Sequence, residues 1–185
     1  MTLMTLSTLT ICGLDELPGH ETGGVTHVLS VLDPEWPEIE SFSRFGPHHR
    51  TTLYFHDIIE PLPGKIAPEP ADVDAIVRFG EDVAREYGEA ADAHLLVHCH
   101  MGISRSTAAM ESEARLFERL RQIRPQAWPN SRMIAFADEA LGRKGGLSRE
   151  LSRHYAWALE RQPKFSEWMS HLGRGRELEM AAARI

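Results

Sequence analysis

Cys99 and Arg105 stand in the segment His98-Cys99-His100-Met101-Gly102-Ile103-Ser104-Arg105-Ser106, with five residues between the thiol and the guanidinium. That interval lets a loop curl until its backbone N–H groups point inward and the guanidinium closes the ring, which makes a cradle for a tetrahedral oxyanion. A thiol reacts as the thiolate, and a helix N-terminus, inward N–H dipoles and a nearby arginine all favour the anion. Cys99 is therefore expected to be a nucleophile at neutral pH. Gly102 permits a backbone conformation that a side chain would resist, and Arg105 can hold two phosphate oxygens in a planar fork. Ser106 can hydrogen-bond the sulfur. His98 is expected to order the loop through its ring nitrogens rather than to act as a base, because the sulfur would already be deprotonated. His100, Met101, Gly102, Ile103 and Ser104 would surround the bound phosphate together with Arg105.

The pattern His98-Cys99-x-x-Gly102-x-Ser104-Arg105-Ser106 resembles the signature of the cysteine-based protein tyrosine phosphatases, in their compact dual-specificity branch. The resemblance implies a phosphomonoester hydrolase that works through a cysteinyl-phosphate, with Cys99 as nucleophile and Arg105 as phosphate clamp, and with no metal or other cofactor. It also implies a general acid on a movable loop, since an alkoxide or phenoxide leaves slowly unless it is protonated. In the family an Asp shortly after the preceding strand serves, and Asp57 is the matching position. The interval from Asp57 to Cys99 is longer than is usual there, so the loop is expected to be enlarged. Glu60, Asp72 and Asp33 are the other carboxylates that could take the role. An Asn after Pro in the segment beyond the phosphate loop often braces that loop in the family. Asn130 matches, and a plain helix cap explains it as well.

The elements that must position these residues are legible around them. Leu95-Leu96-Val97 is a near-unbroken apolar run, as expected of a central strand covered on both faces. Asp72 to Glu89 carries Val73, Ile76, Val77, Val83, Ala84 and Tyr87 at helical spacing, with Pro70 at a favourable early position. Strand, crossover helix and strand in that order predict parallel pairing. Further strands are expected from Leu6 to Leu17, Val25 to Leu32 and Thr51 to His56, with irregular structure between Asp33 and Arg50, where His48, His49 and Arg50 could rim the pocket. The helix after the loop is expected to run from about Ser106 to Ile123 with Ala109, Met110, Leu116, Phe117 and Leu120 inward, and another is expected to start at Pro129-Asn130-Ser131. Ser148 to Glu160 and Phe165 to Leu172 read as two more. The fold class is α/β, three-layered, with a central mixed, mostly parallel sheet of four to five strands flanked by helices and the phosphate loop at the carboxyl end of the Cys99 strand. One domain over 1–185 is expected, with 173–185 a charged tail that frays or extends as a helix and has no assigned function.

A net charge of -7 and a pI near 5.8 leave no electrostatic footprint for nucleic acid or an anionic membrane, so attraction for phosphate must be local to one pocket. The two cysteines, Cys12 and Cys99, do not form a disulfide framework and suit a reducing cytoplasm. The first residues make a poor secretion signal, and no run reaches membrane-spanning length. A cytoplasmic monomer acting on a phosphorylated protein or a small phosphomonoester is expected. The loop has no lysine to meet further phosphates, which favours a phosphoprotein, although a charged His100 would keep polyphosphorylated ligands open. An inositol or lipid phosphatase on the same fold and a non-catalytic phosphate-binding module are the alternatives. A sulfurtransferase or arsenate reductase also opens a helix with a cysteine, but the full set around Cys99 fits phosphoryl transfer better. Cys12 could pair with Cys99 on oxidation, and packing explains it more simply. His94, His98 and His100 alternate along the strand, yet cysteine chemistry accounts for His98, and no metal site is expected.

Overall fold

The run Leu95-Leu96-Val97 lies in β4 (His94–His98), which has a parallel neighbour on each side. The computed structural model describes residues 8–87, 93–109 and 114–183. Its sheet has four strands in the order β1-β4-β2-β3, where β1 is Thr8–Cys12, β2 is His27–Leu32 and β3 is His49–Tyr54. Every pair is parallel, so the mixed element allowed for by the sequence is absent among the described residues. A central parallel strand must be apolar towards both layers, and Leu95, Leu96 and Val97 are all buried.

The connection from β3 to β4 is α1 (Pro70–Tyr87), which starts at Pro70, where the missing N–H costs nothing. The expected end at Glu89 lies outside the described residues. The connection carries the chain past β2, so that β4 enters between β1 and β2 rather than beside β3. Beyond the loop over residues 99–104, α2 (Arg105–Ala108) and α3 (Ala114–Ile123) occupy the stretch expected as one helix, and Met110 lies outside the described residues. The later helices are α4 (Ser131–Ala140), α5 (Gly146–Arg161), α6 (Lys164–His171) and α7 (Gly175–Ala183). The expected strand over Leu6–Leu17 stops at Cys12, because Gly13 turns the chain into a 3-10 helix over Leu14–His20 whose Glu16 carboxylate accepts from Gly13 N at 2.6 Å.

The two faces of the sheet are covered differently. Ile11, Leu29, Val31, Leu95 and Val97 pack against apolar residues of the α-helices, among them Val73, Ile76, Phe117, Ile134, Leu151, Tyr155 and Ala181. Cys12, Val28 and Leu96 face a thinner layer built from Leu17 and Phe42, each in a 3-10 helix, and from Val25. The third layer is therefore two short 3-10 helices rather than α-helices. The segment expected as a tail forms α7, and its Glu177 and Ala181 are buried against the rest. Among the described residues no helix is long and apolar enough to cross a membrane.

Candidate active site

The chain leaves β4 at His98 and turns through residues 99–104 into α2, and the backbone of this turn has a single polarity. Each carbonyl from His100 to Ser104 is directed into the protein. His100 O accepts from Leu14 N at 2.9 Å, Met101 O and Gly102 O each accept from the Arg124 guanidinium at 3.0 Å, and Ile103 O accepts from Trp128 N at 2.8 Å. Ser104 O accepts from Ala108 N, and the Thr107 hydroxyl sits between the Ile103 and Ser104 carbonyls. Among the described residues, no acceptor meets a backbone N–H of His100 to Ser104. Successive unpaired N–H groups with their carbonyls turned away form an anion-binding concavity.

Glycine is required at two contacts beneath this turn. Gly102 has φ +66°, and a Cβ there would lie 2.4 Å from the Cys12 carbonyl carbon and 2.6 Å from Gly13 N. A Cβ on Gly13 would in turn lie 2.9 Å from the Met101 carbonyl carbon. The end of β1 and the loop are thus pressed backbone to backbone, which only glycine allows. Arg124 fixes the outer side, with its guanidinium bound to both Glu16 carboxylate oxygens at 2.6 and 2.7 Å as well as to the loop carbonyls.

Cys99 is buried beside this backbone, with its Sγ 3.2 Å from Ser106 Oγ. Arg105 is only 3% exposed. Its Nη1 donates to Asp33 Oδ1 and to Phe55 O, both at 2.6 Å, while Nε is buried with no partner. One edge of the guanidinium is anchored and a donor on the other is unsatisfied, which is how an arginine is held ready for an oxyanion. His98 is fully buried, with Nε2 2.6 Å from Ser30 Oγ. Burial pushes its ring down to about 4 against the opposing pull of the Cys99 backbone, so the imidazole is neutral.

His100 packs on Trp36 with ring centroids 4.3 Å apart, and its Nε2 accepts from Asp33 N at 3.2 Å. Burial, and then the Arg105 charge, lower its pKa, and Asp33 and Asp57 only partly oppose them. The charged His100 that would have welcomed additional phosphates is therefore disfavoured at neutral pH, because its nitrogen is committed as an acceptor beside an arginine. Met101 and Trp36 are exposed apolar side chains next to the loop.

Asp57 lies three residues beyond β3, at the start of a loop that is pinched where His56 N donates to Ile66 O at 2.7 Å and Ile66 N donates to His56 Nδ1 at 2.9 Å. Its Oδ1 accepts from Ser104 Oγ at 2.8 Å, from Asn130 Nδ2 at 2.9 Å and from Arg174 Nη2 at 2.5 Å. Burial alone would raise the carboxyl, but the Arg174 and Arg105 charges and these hydrogen bonds outweigh it and hold Asp57 below its ordinary 3.8. Asn130 serves two purposes, since its Oδ1 caps α4 by accepting from Arg132 N and Met133 N while its amide grips Asp57. Of the other carboxylates considered, Asp33 touches Arg105, and Asp72 accepts from Glu69 N at the start of α1. No polar contact joins Glu60 to the loop among the described residues.

Arg174 and Glu177 had no signal in the sequence beyond their charge. Both are buried, and each is fully engaged. Glu177 accepts from Trp128 Nε1 at 2.6 Å, Ser131 N at 2.8 Å and Arg174 Nη1 at 3.0 Å. Arg174 Nη2 donates to Asp57 and, at 2.9 Å, to Ser104 Oγ. The C-terminal segment thereby reaches the carboxylate and the loop through one guanidinium. His48 and His49 instead lie at the far edge of the sheet, where β3 begins, and do not rim the loop. His94 bonds to Thr10 Oγ1 and Gly23 O, apart from His98 and His100.

No family model and no curated protein matches the sequence. Solved structures do match. DUSP15 is 20% identical with a TM-score of 0.53, over 82% of this chain and 94% of that one. Human DUSP28 is 17% identical with a TM-score of 0.53, over 74% of this chain and 92% of that one. The chain has the dual-specificity phosphatase fold. In this chain the loop after β4 carries Cys99 and leads into Arg105 and Ser106 of α2.

Two outcomes follow from the geometry. Gly102→Ala is expected to destabilise the protein by more than the ~1–2 kcal/mol of a left-handed residue with a Cβ, because the methyl meets backbone. Denaturant unfolding measures this, and wild-type stability in the variant would mean that the loop does not press on Cys12 and Gly13. In Arg174→Gln the Asp57 carboxyl is expected to titrate at higher pH, followed by carboxyl-carbon NMR. Because the folded value is depressed, the ion pair's contribution is present above the ordinary 3.8 and is lost as pH falls through the lower folded value. An unmoved Asp57 titration would assign the depression to the Arg105 charge and the Asn130 and Ser104 hydrogen bonds instead.

Proposed function

We propose that this protein is a metal-independent phosphatase that hydrolyses aryl phosphomonoesters of the phosphotyrosine type, on a phosphoprotein, through a cysteinyl-phosphate. The observation that carries the reading is the concavity of unpaired N–H groups beside Cys99, closed by the unsatisfied Nε of buried Arg105. A phosphate dianion supplies the acceptors that these donors lack. The cytoplasm is the proposed location, and both cysteines are free thiols in support of a reducing compartment.

In the first step Cys99 Sγ attacks phosphorus, the S–P bond forms as the P–O bond to the leaving group breaks, and Asp57 gives its proton to the departing oxygen. The loop N–H groups and Arg105 hold the three equatorial oxygens throughout. In the second step Asp57, now a carboxylate, takes a proton from water. The new O–P bond forms as S–P breaks, and Ser106 stabilises the sulfur that leaves. Asp57 must enter this cycle protonated although its carboxyl is depressed in the free protein. A dianion bound against Ser104 and Arg105 opposes that depression, because a neighbouring negative charge disfavours a second one. Asp33 is the rival carboxylate, and its bond to Arg105 makes it a positioning group in this scheme.

The apolar faces of Trp36 and Met101 beside the loop suit an aromatic leaving group, and the neutral His100 does not suit further phosphates. A panel of phosphotyrosine peptide, phosphoserine peptide and inositol phosphates assayed together is expected to favour the first. Cys99→Ser is expected to abolish turnover of a simple aryl phosphate, while chelator leaves wild-type turnover unchanged. Residual activity in the variant, or dependence on a divalent ion, would refute the scheme. Asp57→Asn is expected to lower kcat by roughly a hundredfold or more, with a small change in KM. A near-normal kcat in that variant, with the loss appearing in Asp33→Asn, would transfer the acid role to Asp33.

A further inference from the structure

At the end of the sheet opposite to Cys99, β2 and β3 begin with histidines that face each other. His27 and His49 are register partners in the parallel pair, so their side chains emerge on the same face, and their rings stack with centroids 5.2 Å apart. Glu86, in the last turn of α1, reaches the same point. Its Oε2 lies 3.3 Å from His27 Nε2 and its Oε1 lies 4.0 Å from His49 Nε2. One ligand atom from each residue falls within 4.8 Å of the others, and among the described residues no other trio of His, Cys, Asp or Glu converges in this way.

The hydrogen bonding around His27 favours a cation at this point. Thr26 Oγ1 donates its one proton to His94 O at 3.2 Å and accepts from His94 N at 3.1 Å. His27 Nδ1 lies 3.1 Å from the same oxygen, and in the tautomer where Nδ1 donates to it the Nε2 lone pair faces the Glu86 carboxylate. A proton on Nε2 or a metal cation between the two atoms satisfies this 3.3 Å contact, and the convergence of His49 on the same point is what favours the metal. A tetrahedral ion with metal–nitrogen and metal–oxygen bonds of about 2.0–2.2 Å sets its ligands about 3.3–3.5 Å apart, which the His27–Glu86 edge already matches. His49 is 75% exposed on its side chain and can swing the remaining distance. The Nδ1 contact to Thr26 is the outer hydrogen bond that fixes tautomer and ring direction in a ligating histidine. The C-terminal end of α1 adds a favourable dipole for a cation.

We propose that His27, His49 and Glu86 bind a divalent transition ion of the zinc(II) class, with water in the fourth position, and that the ion clips the end of α1 to the first residues of β2 and β3. Two imidazoles and one carboxylate select a borderline ion over magnesium or calcium. The site is structural and lies away from the phosphate loop, so it does not enter the proposed phosphatase reaction and stands or falls separately.

The test uses the full chain, stripped with chelator and dialysed. Zinc(II) is expected to raise its melting temperature, and cobalt(II) to give the visible absorption of a tetrahedral N/O site. Both His49→Ala and Glu86→Gln alter exposed side chains, and each is expected to weaken zinc binding at least tenfold and to remove the cobalt spectrum. The same titration on Cys99→Ser is expected to match wild type, which excludes the thiol as the ligand. No shift and no spectrum with the wild type, or responses that survive in His49→Ala and Glu86→Gln, would overturn the site.

Discussion

The backbone polarity of the turn after β4 is the constraint on which the site depends. An unpaired buried N–H costs about 1–3 kcal/mol, and a run of them would relax by flipping peptides unless every carbonyl were held. The partners that hold them come from distant parts of the chain: Leu14 from the segment after β1, Arg124 from beyond α3, Trp128 from the approach to α4, and Thr107 from α2 itself. Each of these residues meets the loop through a carbonyl oxygen. Their effect is to make the inward direction the only one left for the amides, so the fold places the cost of an unsatisfied concavity where a ligand can relieve it.

Buried ions impose a second condition. Arg105, Arg174 and Glu177 are all shielded from solvent, and such charges persist only when paired. The pairing is arranged as a chain. Glu177 engages Trp128, which also binds the loop, and Ser131, which begins α4, then passes through Arg174 to Asp57 and Ser104. A carboxylate on a long loop is thereby referenced to the same backbone that carries Cys99. Breaking one member leaves a partner unpaired in a low-dielectric setting, which makes the network more effective at fixing position than at adding stability.

What could be read without coordinates follows from the range of the interactions. The strand-loop-helix around Cys99, the helix over Pro70–Tyr87 and the burial of Leu95–Val97 are local patterns, written in residue types that are adjacent or one helical turn apart. Asp57 and Asn130 were reachable through a family resemblance, because each keeps a fixed relation to a neighbouring element. Arg174 was not. In a stretch rich in charge and alanine it looks solvated, and only the packing of α7 against α5 takes it out of water. The 3-10 layer was likewise hidden, since Leu17 and Phe42 become core only after the sheet presents Val28 and Leu96 to them. Sequence distance says nothing of which end of a parallel strand faces the loop, so it leaves His49 a rim candidate although β3 begins with it at the far end.

In the proposed phosphatase reaction, the charge around the loop would bear on what kind of ester is accepted. Asp33, Asp57 and Glu177 stand near two arginines, and the whole chain carries -7, so no surplus of cationic side chains draws a phosphate in. Attraction must come from oriented amide dipoles and the uncommitted donor of Arg105, and dipolar fields fall off faster with distance than those of net charges. A single phosphoryl group seated in the concavity feels that field fully. A second phosphate some ångströms out would meet acidic side chains and a neutral imidazole instead. On the proposed reaction the same short range lets apolar Trp36 and Met101 border the loop without loss, since the body of the ester would need to offer shape and apolar surface rather than charge.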